Sequence, residues 1–169
     1  MSEPQESSRL RLELDAPGFL KVERLVAYEM GNLLLMLNLQ LQQRFGLRAE
    51  EYQVYLLIVL ATVQRFANIS DVNTENLSRA PLPPDLAGSI SRRRIADVLG
   101  IPFETVRRTV ASLLDRGLIE ERSRGCLSTR GGTLQYLGED ATPEKLARRF
   151  ISSINTMIRI GAIKPPDKL

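Results

Sequence analysis

The feature that most constrains the fold is residues 89–114, where helically spaced apolar side chains are interrupted once, at Gly100. Ser91 stands where a helix needs an N-cap, and Ile95 and Leu99 follow on one stripe of that helix. Glycine readily adopts the left-handed conformation that ends a helix, so Gly100 predicts where the first helix stops. The pattern therefore predicts a short capped helix, a tight turn and a second helix.

The second predicted helix, residues 103–116, has two distinct faces. Val106 and Val110 recur at an interval of four residues, so they share the face that packs inward. The same periodicity turns Glu104 and Arg108 outward, one helical turn apart. We expect each of these two charged side chains to orient the other on an exposed surface.

A predicted β-hairpin follows the helix pair. Residues 118–121 and 126–129 have the composition of strands, and residues 122–125 between them form a turn. Cys126 is expected to lie half-buried in the second strand. The fold class predicted from this order is mainly α with a small β-wing, in which a winged helix-turn-helix is flanked by long N-terminal and C-terminal helices.

The sequence of residues 89–130 resembles the winged helix-turn-helix of bacterial transcription regulators. The resemblance to the MarR, IclR and cyclic-AMP receptor protein families rests on Gly100, Val106 and the Arg-Gly-Leu-Ile-Glu of residues 116–120. Residues 103–108 are most similar to the cyclic-AMP receptor protein family, with its Glu-Thr-Val and an Arg four residues after the Glu. The resemblance implies a sequence-specific transcriptional regulator that binds double-stranded DNA.

The resemblance also implies how each element would meet DNA. Residues 103–116 would enter the major groove as the recognition helix, and the wing of residues 118–130 would lie on the DNA backbone. Glu104 can accept a hydrogen bond from a cytosine amino group, and Arg108 can donate two to guanine. Phe103 departs from the polar or basic residue usual in the family, and it could either touch a thymine methyl group or pack against Arg107.

Basic charge is concentrated on the same stretch. Residues 91–130 hold nine Arg against five Asp and Glu, a net charge of +4, whereas the whole chain carries +3. Such a footprint favours contact with phosphates, from the start of the first motif helix, from Arg107 and from the wing. The candidate DNA-binding residues are Ser91, Arg92, Arg93, Phe103, Glu104, Thr105, Arg107, Arg108, Arg122, Arg124 and Arg130.

A long helix is predicted for residues 19–45, and a second amphipathic helix for residues 143–160. Residues 31–43 carry no charge at all, which indicates that more than one face of the long helix is buried. We interpret this helix as the interface of a homodimer, with ordinary packing on its own chain as the alternative. The candidate interface residues are Val26, Met30, Leu33, Leu37, Leu41, Phe150 and Ile154.

These elements divide the chain into three expected parts. Residues 1–46 would form an N-terminal strand or tail and the dimerisation helix, residues 47–137 the DNA-binding domain, and residues 138–169 a C-terminal helix packed on the N-terminal one. Residues 9–15 alternate between charged and apolar, which predicts a strand paired with the wing or with another subunit, or else a tail. Residues 68–89, rich in Pro, Asn and Asp, predict a long loop.

The remaining sequence does not favour an enzyme. The chain has no His, one Cys and no phosphate-binding glycine loop, so we expect no catalytic residue, no metal site and no cofactor. The polar N-terminus lacks a signal-peptide pattern and no apolar stretch is long enough to span a membrane, so we expect a cytoplasmic protein. The resemblance to bacterial regulators further implies association with the nucleoid.

Two questions stay open at this level. Nothing in the sequence marks a site for a small-molecule effector. The hypothesis that competes with DNA binding is a winged helix that serves as a protein–protein interaction scaffold, since a fold does not fix a function.

Overall fold

The computed structural model describes residues 12–67, 86–122, 125–132 and 142–165. Within these ranges the chain is mainly helical with small antiparallel sheets, which confirms the expected class at that level. The chain separates into two compact units. A terminal unit comprises Met1–Leu39 and Glu144–Leu169, and a central unit comprises Gln40–Pro143.

The terminal unit contains two short strands and two helices. These are β1 (Glu13–Leu14), most of α1 (Ala16–Phe45), α5 (Thr142–Arg159) and β5 (Ile163–Lys164). The two strands pair in an antiparallel fashion, with Leu14 opposite Ile163. The strand predicted within residues 9–15 therefore finds its partner in the C-terminal segment of the same chain, although residues 9–11 lie outside the described part.

Close backbone contacts fasten the start of α1 to the segment after α5. The backbone N–H of Asp15 donates to the carbonyl oxygen of Ala162 at 3.0 Å. A Cβ on Gly18 would overlap the carbonyl oxygen of Gly161, so only glycine allows this approach. The helix begins three residues before the predicted residue 19, because proline, here Pro17, is well tolerated in the first turn of a helix.

The central unit contains the predicted helix pair and hairpin. Within the described residues its complete elements are α2 (Ala49–Ala67), β2 (Ile90–Ser91), α3 (Arg92–Leu99), α4 (Phe103–Asp115), β3 (Ile119–Glu121) and β4 (Cys126–Thr129). The three strands form one antiparallel sheet in the order β2-β4-β3. Strand β2 was not predicted, because a strand of two residues carries no periodicity. The loop predicted for residues 68–89 lies outside the described residues up to position 85.

Helix α2 lies at the centre of the core of this unit. The side chains that it shares with α3, α4 and the sheet are at most 2% exposed: Val54, Tyr55, Ile58, Ile95, Val106, Val110, Leu113, Ile119 and Leu127. The last turns of α1 also belong to this core, because Phe45 packs edge-on against Tyr55 with ring centroids 4.8 Å apart. Arg116 caps that end of α1 by donating to the carbonyl oxygen of Phe45 at 2.6 Å.

The turn between α3 and α4 has the predicted chemistry. The Ser91 hydroxyl accepts a hydrogen bond from the backbone N–H of Arg94 at 3.2 Å, which confirms Ser91 as the N-cap. Gly100 has a positive φ of 64° and donates its N–H to the carbonyl oxygen of Ala96. Helix α4 then begins at Phe103, so three residues separate the two helices.

Thr62 joins the end of α2 to the sheet. Its hydroxyl donates to the carbonyl oxygen of Ile58 at 2.8 Å and accepts from the backbone N–H of Thr129 in β4 at 3.0 Å. The Thr62 carbonyl oxygen accepts from the N–H of Gly88 at 2.8 Å. A Cβ on Gly88 would overlap the carbonyl oxygen of Ala61, so only glycine allows the segment before β2 to pass this close to α2.

Glu51 links the start of α2 to α4. Its carboxylate accepts from the backbone N–H of Arg48 at 3.0 Å and from the Arg48 guanidinium at 3.2 Å, and it accepts from the Ser112 hydroxyl at 3.4 Å. The residue is 7% exposed. These contacts, chiefly the hydrogen bond from the Arg48 side chain, hold the pKa of Glu51 below its usual value.

We predict that Glu51→Gln destabilises the protein by about 1 kcal/mol at neutral pH, because the amide keeps the capping shape but loses the charge. A carboxylate with a lowered pKa stabilises the fold above its unfolded pKa, and that contribution disappears as the pH falls through the folded pKa. The difference between wild type and variant should therefore shrink in acid. Denaturant unfolding at neutral and acidic pH measures it, with the exposed neighbour Glu50→Gln as control. An equal pH dependence in wild type and Glu51→Gln would contradict the assignment.

Candidate nucleic-acid interface

One face of α4 is completely buried, and this fixes what the other face presents. Val106, Val110 and Leu113 have no exposed surface. The sequence-predicted residues Phe103, Glu104, Arg107 and Arg108 are exposed, with Phe103 at 47%, whereas Thr105 is half-buried. The helix thus offers solvent an aromatic ring, a carboxylate and two guanidinium groups within its first two turns.

Glu104 is paired with Arg107 rather than with Arg108. The Arg107 Nε donates to one carboxylate oxygen of Glu104 at 2.8 Å, and its Nη2 donates to the other at 2.7 Å. The expected mutual orientation of Glu104 and Arg108 is therefore corrected, because the guanidinium fork of Arg107 engages both carboxylate oxygens at once. This hydrogen bonding lowers the pKa of Glu104, and Arg108 adds a weaker Coulombic contribution.

Arg108 keeps its guanidinium in solvent. Among the described residues the structure gives it no hydrogen bond and no ion pair. It lies one turn beyond Glu104 on the same outward face, as the spacing predicted. The arrangement leaves a planar donor group available to a carboxylate, a phosphate or a base edge.

Arg92, expected to contact phosphate, joins α3 to the hairpin instead. Its Nη2 donates to the Glu121 carboxylate at 2.7 Å, and its Nη1 donates to the carbonyl oxygen of Gly125 at 3.3 Å. The Arg92 side chain is only 24% exposed. The same contact lowers the pKa of Glu121, first through the hydrogen bond and then through charge. Glu121 is the partner that sequence reasoning missed, because 29 residues separate it from Arg92.

The neighbours of Arg92 in the first turn of α3 face solvent. The Arg93 side chain is 82% exposed and forms a loose ion pair with Asp97 at 3.8 Å. Arg94 is also exposed, although it was not among the predicted site residues. Ser91 is half-buried, and its hydroxyl already serves as the helix cap. The exposed cations at this helix start are therefore Arg93 and Arg94.

The arginines of the hairpin differ in their environments. Arg122 donates to the Glu120 carboxylate at 3.3 Å and to the carbonyl oxygen of Ala87 at 3.5 Å, and its side chain is 30% exposed. Arg130 is exposed, and its guanidinium lies beside Gly117. Arg124 lies outside the described residues. Arg122 therefore ties the hairpin to the segment before β2.

The predicted interface residues separate into buried and exposed groups. Val26 and Leu33 are 3% and 7% exposed, so they face the interior of their own chain. Leu41 packs against the core of the central unit, which corrects its assignment to a dimer surface. Among the others, Leu37 and Ile154 are half-buried, and the exposed residues are Met30 and Phe150, at 50% and 51%.

Two concavities among the described residues are small or open. A cleft of about 200 Å³ in the central unit is lined by Phe45, Tyr55, Gly117, Leu118 and residues 130–132. This volume is below the roughly 300 Å³ at which ligand sites usually begin. A second concavity of about 460 Å³ is lined by side chains of α5 alone, among them Arg148 and Arg159, so it is an open surface.

In the part of the chain that the structure describes, no helix is both long and apolar enough to cross a bilayer. Over those ranges, no three Cys, Asp or Glu side chains converge in a way that could hold a metal ion.

Comparison with known proteins returned no match among family models, curated proteins or solved structures.

We predict that Arg92→Gln loosens the β3–β4 hairpin, because it removes the ion pair that holds Glu121 to α3. Amide hydrogen exchange in the hairpin should become about two- to fivefold faster, as expected for a partly exposed ion pair. Arg93→Gln is the matched control, because Arg93 sits beside Arg92 and touches no residue of the hairpin in the described ranges. Equal exchange rates in the two variants would show that Arg92 does not hold the hairpin.

Proposed function

We propose that the central unit is a winged helix-turn-helix and that the protein is a sequence-specific DNA-binding transcriptional regulator acting as a homodimer. Helices α3 and α4 would be the helix-turn-helix, and the β3–β4 hairpin would be the wing. The tight turn at Gly100 and the order helix, helix, hairpin support this reading of the fold.

The observation that carries the proposal is the outward face of α4. Glu104 and Arg108 are both exposed on a helix whose opposite face is locked in the core. An α-helix fits the major groove of B-DNA, where a carboxylate can accept from cytosine and a guanidinium can donate twice to guanine. The pairing of Arg107 with Glu104 would hold the carboxylate in place before DNA arrives, and Arg108 stays available for a base.

The distribution of charge supports the same partner. The net +4 of residues 91–130 lies on the elements that flank α4, in a chain whose total is +3. Arg93 and Arg94 at the start of α3 are exposed and suited to phosphates, which commonly bind at helix N-termini. Arg92 and Arg122 would act indirectly, because Arg92 holds the hairpin to α3 and Arg122 holds it to the segment before β2.

Two copies would be needed for a specific site. One recognition helix reads a few base pairs, which is too little to single out one site in a genome. Dimers of such domains place two recognition helices about one helical turn of DNA apart. A homodimer would therefore read a site made of two half-sites.

A protein–protein scaffold is the second candidate, and exposed apolar groups on the helix pair favour it. Val98 and Phe103 are 48% and 47% exposed, and a protein partner would bury them. A scaffold does not need exposed arginines on both helices of the pair. Binding to duplex DNA therefore distinguishes the two candidates.

We predict that the wild-type protein binds duplex DNA with an affinity that falls steeply with salt. Each phosphate neutralised releases counterions, so six contacts would weaken binding about 10³-fold between roughly 50 and 200 mM salt. Fluorescence anisotropy with a labelled duplex pool measures this loss. Absence of binding at low salt, or binding indifferent to salt, would favour the scaffold.

We also predict that Arg108→Ala costs roughly 1–3 kcal/mol of binding and relaxes the preference at one base position, because it removes a bidentate base contact. Arg93→Ala is the matched control, since loss of a phosphate contact weakens binding to all sequences and lowers the salt slope by about one. Selection from a random duplex pool compares the two variants with wild type. An unchanged sequence preference in Arg108→Ala would rule out its role in base readout.

A further inference from the structure

Helix α1 carries apolar side chains on two faces. One face, with Val26 and Leu33, is buried within the chain. The other face is exposed: Leu25 at 44%, Tyr28 at 65% and Leu35 at 57%. At about 100° per residue, the two faces lie roughly a third of a turn apart around the helix. The exposed face is therefore separate from the packing of the protomer.

The exposed face has the spacing of a coiled-coil seam. Leu25, Asn32 and Leu39 follow one another at intervals of seven, and Tyr28 and Leu35 fill the positions between them at steps of three and four. We call these five residues the α1 seam. Its four apolar members are 40% to 65% exposed, and Asn32 is half-buried. Alternating steps of three and four are the repeat that brings two helices together along one line.

We propose that the α1 seam packs against the same seam of a second copy, as a parallel two-stranded coiled coil. This proposal specifies the homodimer of the proposed function, and it makes no use of DNA. A parallel arrangement brings both chains out of the seam at the same end, beyond Leu39, where each continues into its central unit.

The residues that flank the seam are complementary in this arrangement. Leu25, Asn32 and Leu39 are the first positions of successive heptads. In a parallel coiled coil, the residue immediately before each of these positions faces the residue of the partner helix whose number is higher by five. Arg24 therefore faces Glu29 of the partner subunit, which gives two symmetry-related ion pairs. Gly31 faces Met36 of the partner subunit, so the smallest side chain opposes a large one.

Gly31 is otherwise hard to explain. Glycine weakens a helix interior, and a Cβ built at Gly31 would meet no atom of the described residues within 4 Å, so packing within that part of the chain does not require it. A second helix approaching along the seam supplies the reason. Because Gly31 has no side chain, it leaves room for the Met36 side chain of the partner subunit.

Asn32 favours the parallel orientation. In parallel pairing each first seam position meets its own copy, so the two Asn32 amides can hydrogen-bond to each other, which is the known use of a single buried Asn in such seams. Antiparallel pairing would set Asn32 against an apolar or aromatic seam residue and leave its amide unpaired. Residues 31–43 carry no charge, so two identical copies do not repel each other there.

A competing seam on the same helix would run through Leu20 and Leu34, which are 72% and 57% exposed. It would bring Arg24 into the position of a core residue, where a charge without a partner is costly. These two leucines are therefore the matched control for the α1 seam, because they are equally apolar, exposed and on the same helix.

The first experiment measures mass by light scattering behind gel filtration, without DNA. Wild type should give twice 19.0 kDa. Tyr28→Glu with Leu35→Glu should give a folded monomer, and Leu20→Glu with Leu34→Glu should stay dimeric. Circular dichroism checks the folding of each variant. A monomeric wild type, or equal loss of the dimer in both double variants, would overturn the proposal.

The second experiment tests orientation and register. In a Cys126→Ser background, Leu25→Cys should form a disulfide-linked dimer under mild oxidation, because parallel pairing brings position 25 beside its own copy. Arg24→Glu or Glu29→Arg should each raise the dimer dissociation constant about fivefold, and the double substitution should restore it. Absence of the crosslink, or no recovery in the double variant, would overturn the parallel register.

The outcome is separable from that of the proposed function. If the seam fails and the monomer still binds duplex DNA with a salt-dependent affinity, the DNA-binding function stands and the dimer assignment falls. If the coiled coil forms and no duplex is bound, the seam stands and the DNA-binding function falls.

Discussion

Complete burial of one face of α4 is the constraint on which the central unit depends. Val106, Val110 and Leu113 have no exposed surface, and they belong to one core with side chains of α2, α3 and the sheet. Because these positions point inward, the helical repeat also fixes which residues of α4 face outward. Glu104 and Arg108 are therefore exposed because other residues of the same helix are packed into the core.

The arginines of the central unit serve two different purposes, which net charge cannot distinguish. Arg92 and Arg122 are held by carboxylates and backbone carbonyls, and they fasten the hairpin to α3 and to the segment before β2, respectively. Arg93 and Arg108 extend into solvent and remain available to a partner. An ion pair that spans two elements positions the surface, whereas an exposed guanidinium would provide the contact with a partner. The proposed DNA-binding surface needs both kinds.

Helix α1 shows a similar division between structural and free surface. Its buried face, with Val26 and Leu33, completes the protomer, and its ends are fixed by contacts at Gly18 and Arg116. The face that remains carries the α1 seam. A helix with two apolar faces and no charge over residues 31–43 is intelligible if one face belongs to the protomer and the other to a second copy.

The sequence by itself determined the order helix, helix, hairpin in residues 89–130, the cap at Ser91, the turn at Gly100 and the inward face of α4, because periodicity, capping and glycine conformation are local properties. The strand within residues 9–15 was visible, but its partner at Ile163–Lys164 was not. Tertiary structure alone decided which arginines are free, since the Glu121 partner of Arg92 lies 29 residues away. It also decided which apolar face of α1 is buried. The spacing of apolar residues shows that the helix has two such faces, but only the packing of the folded chain determines which one is covered.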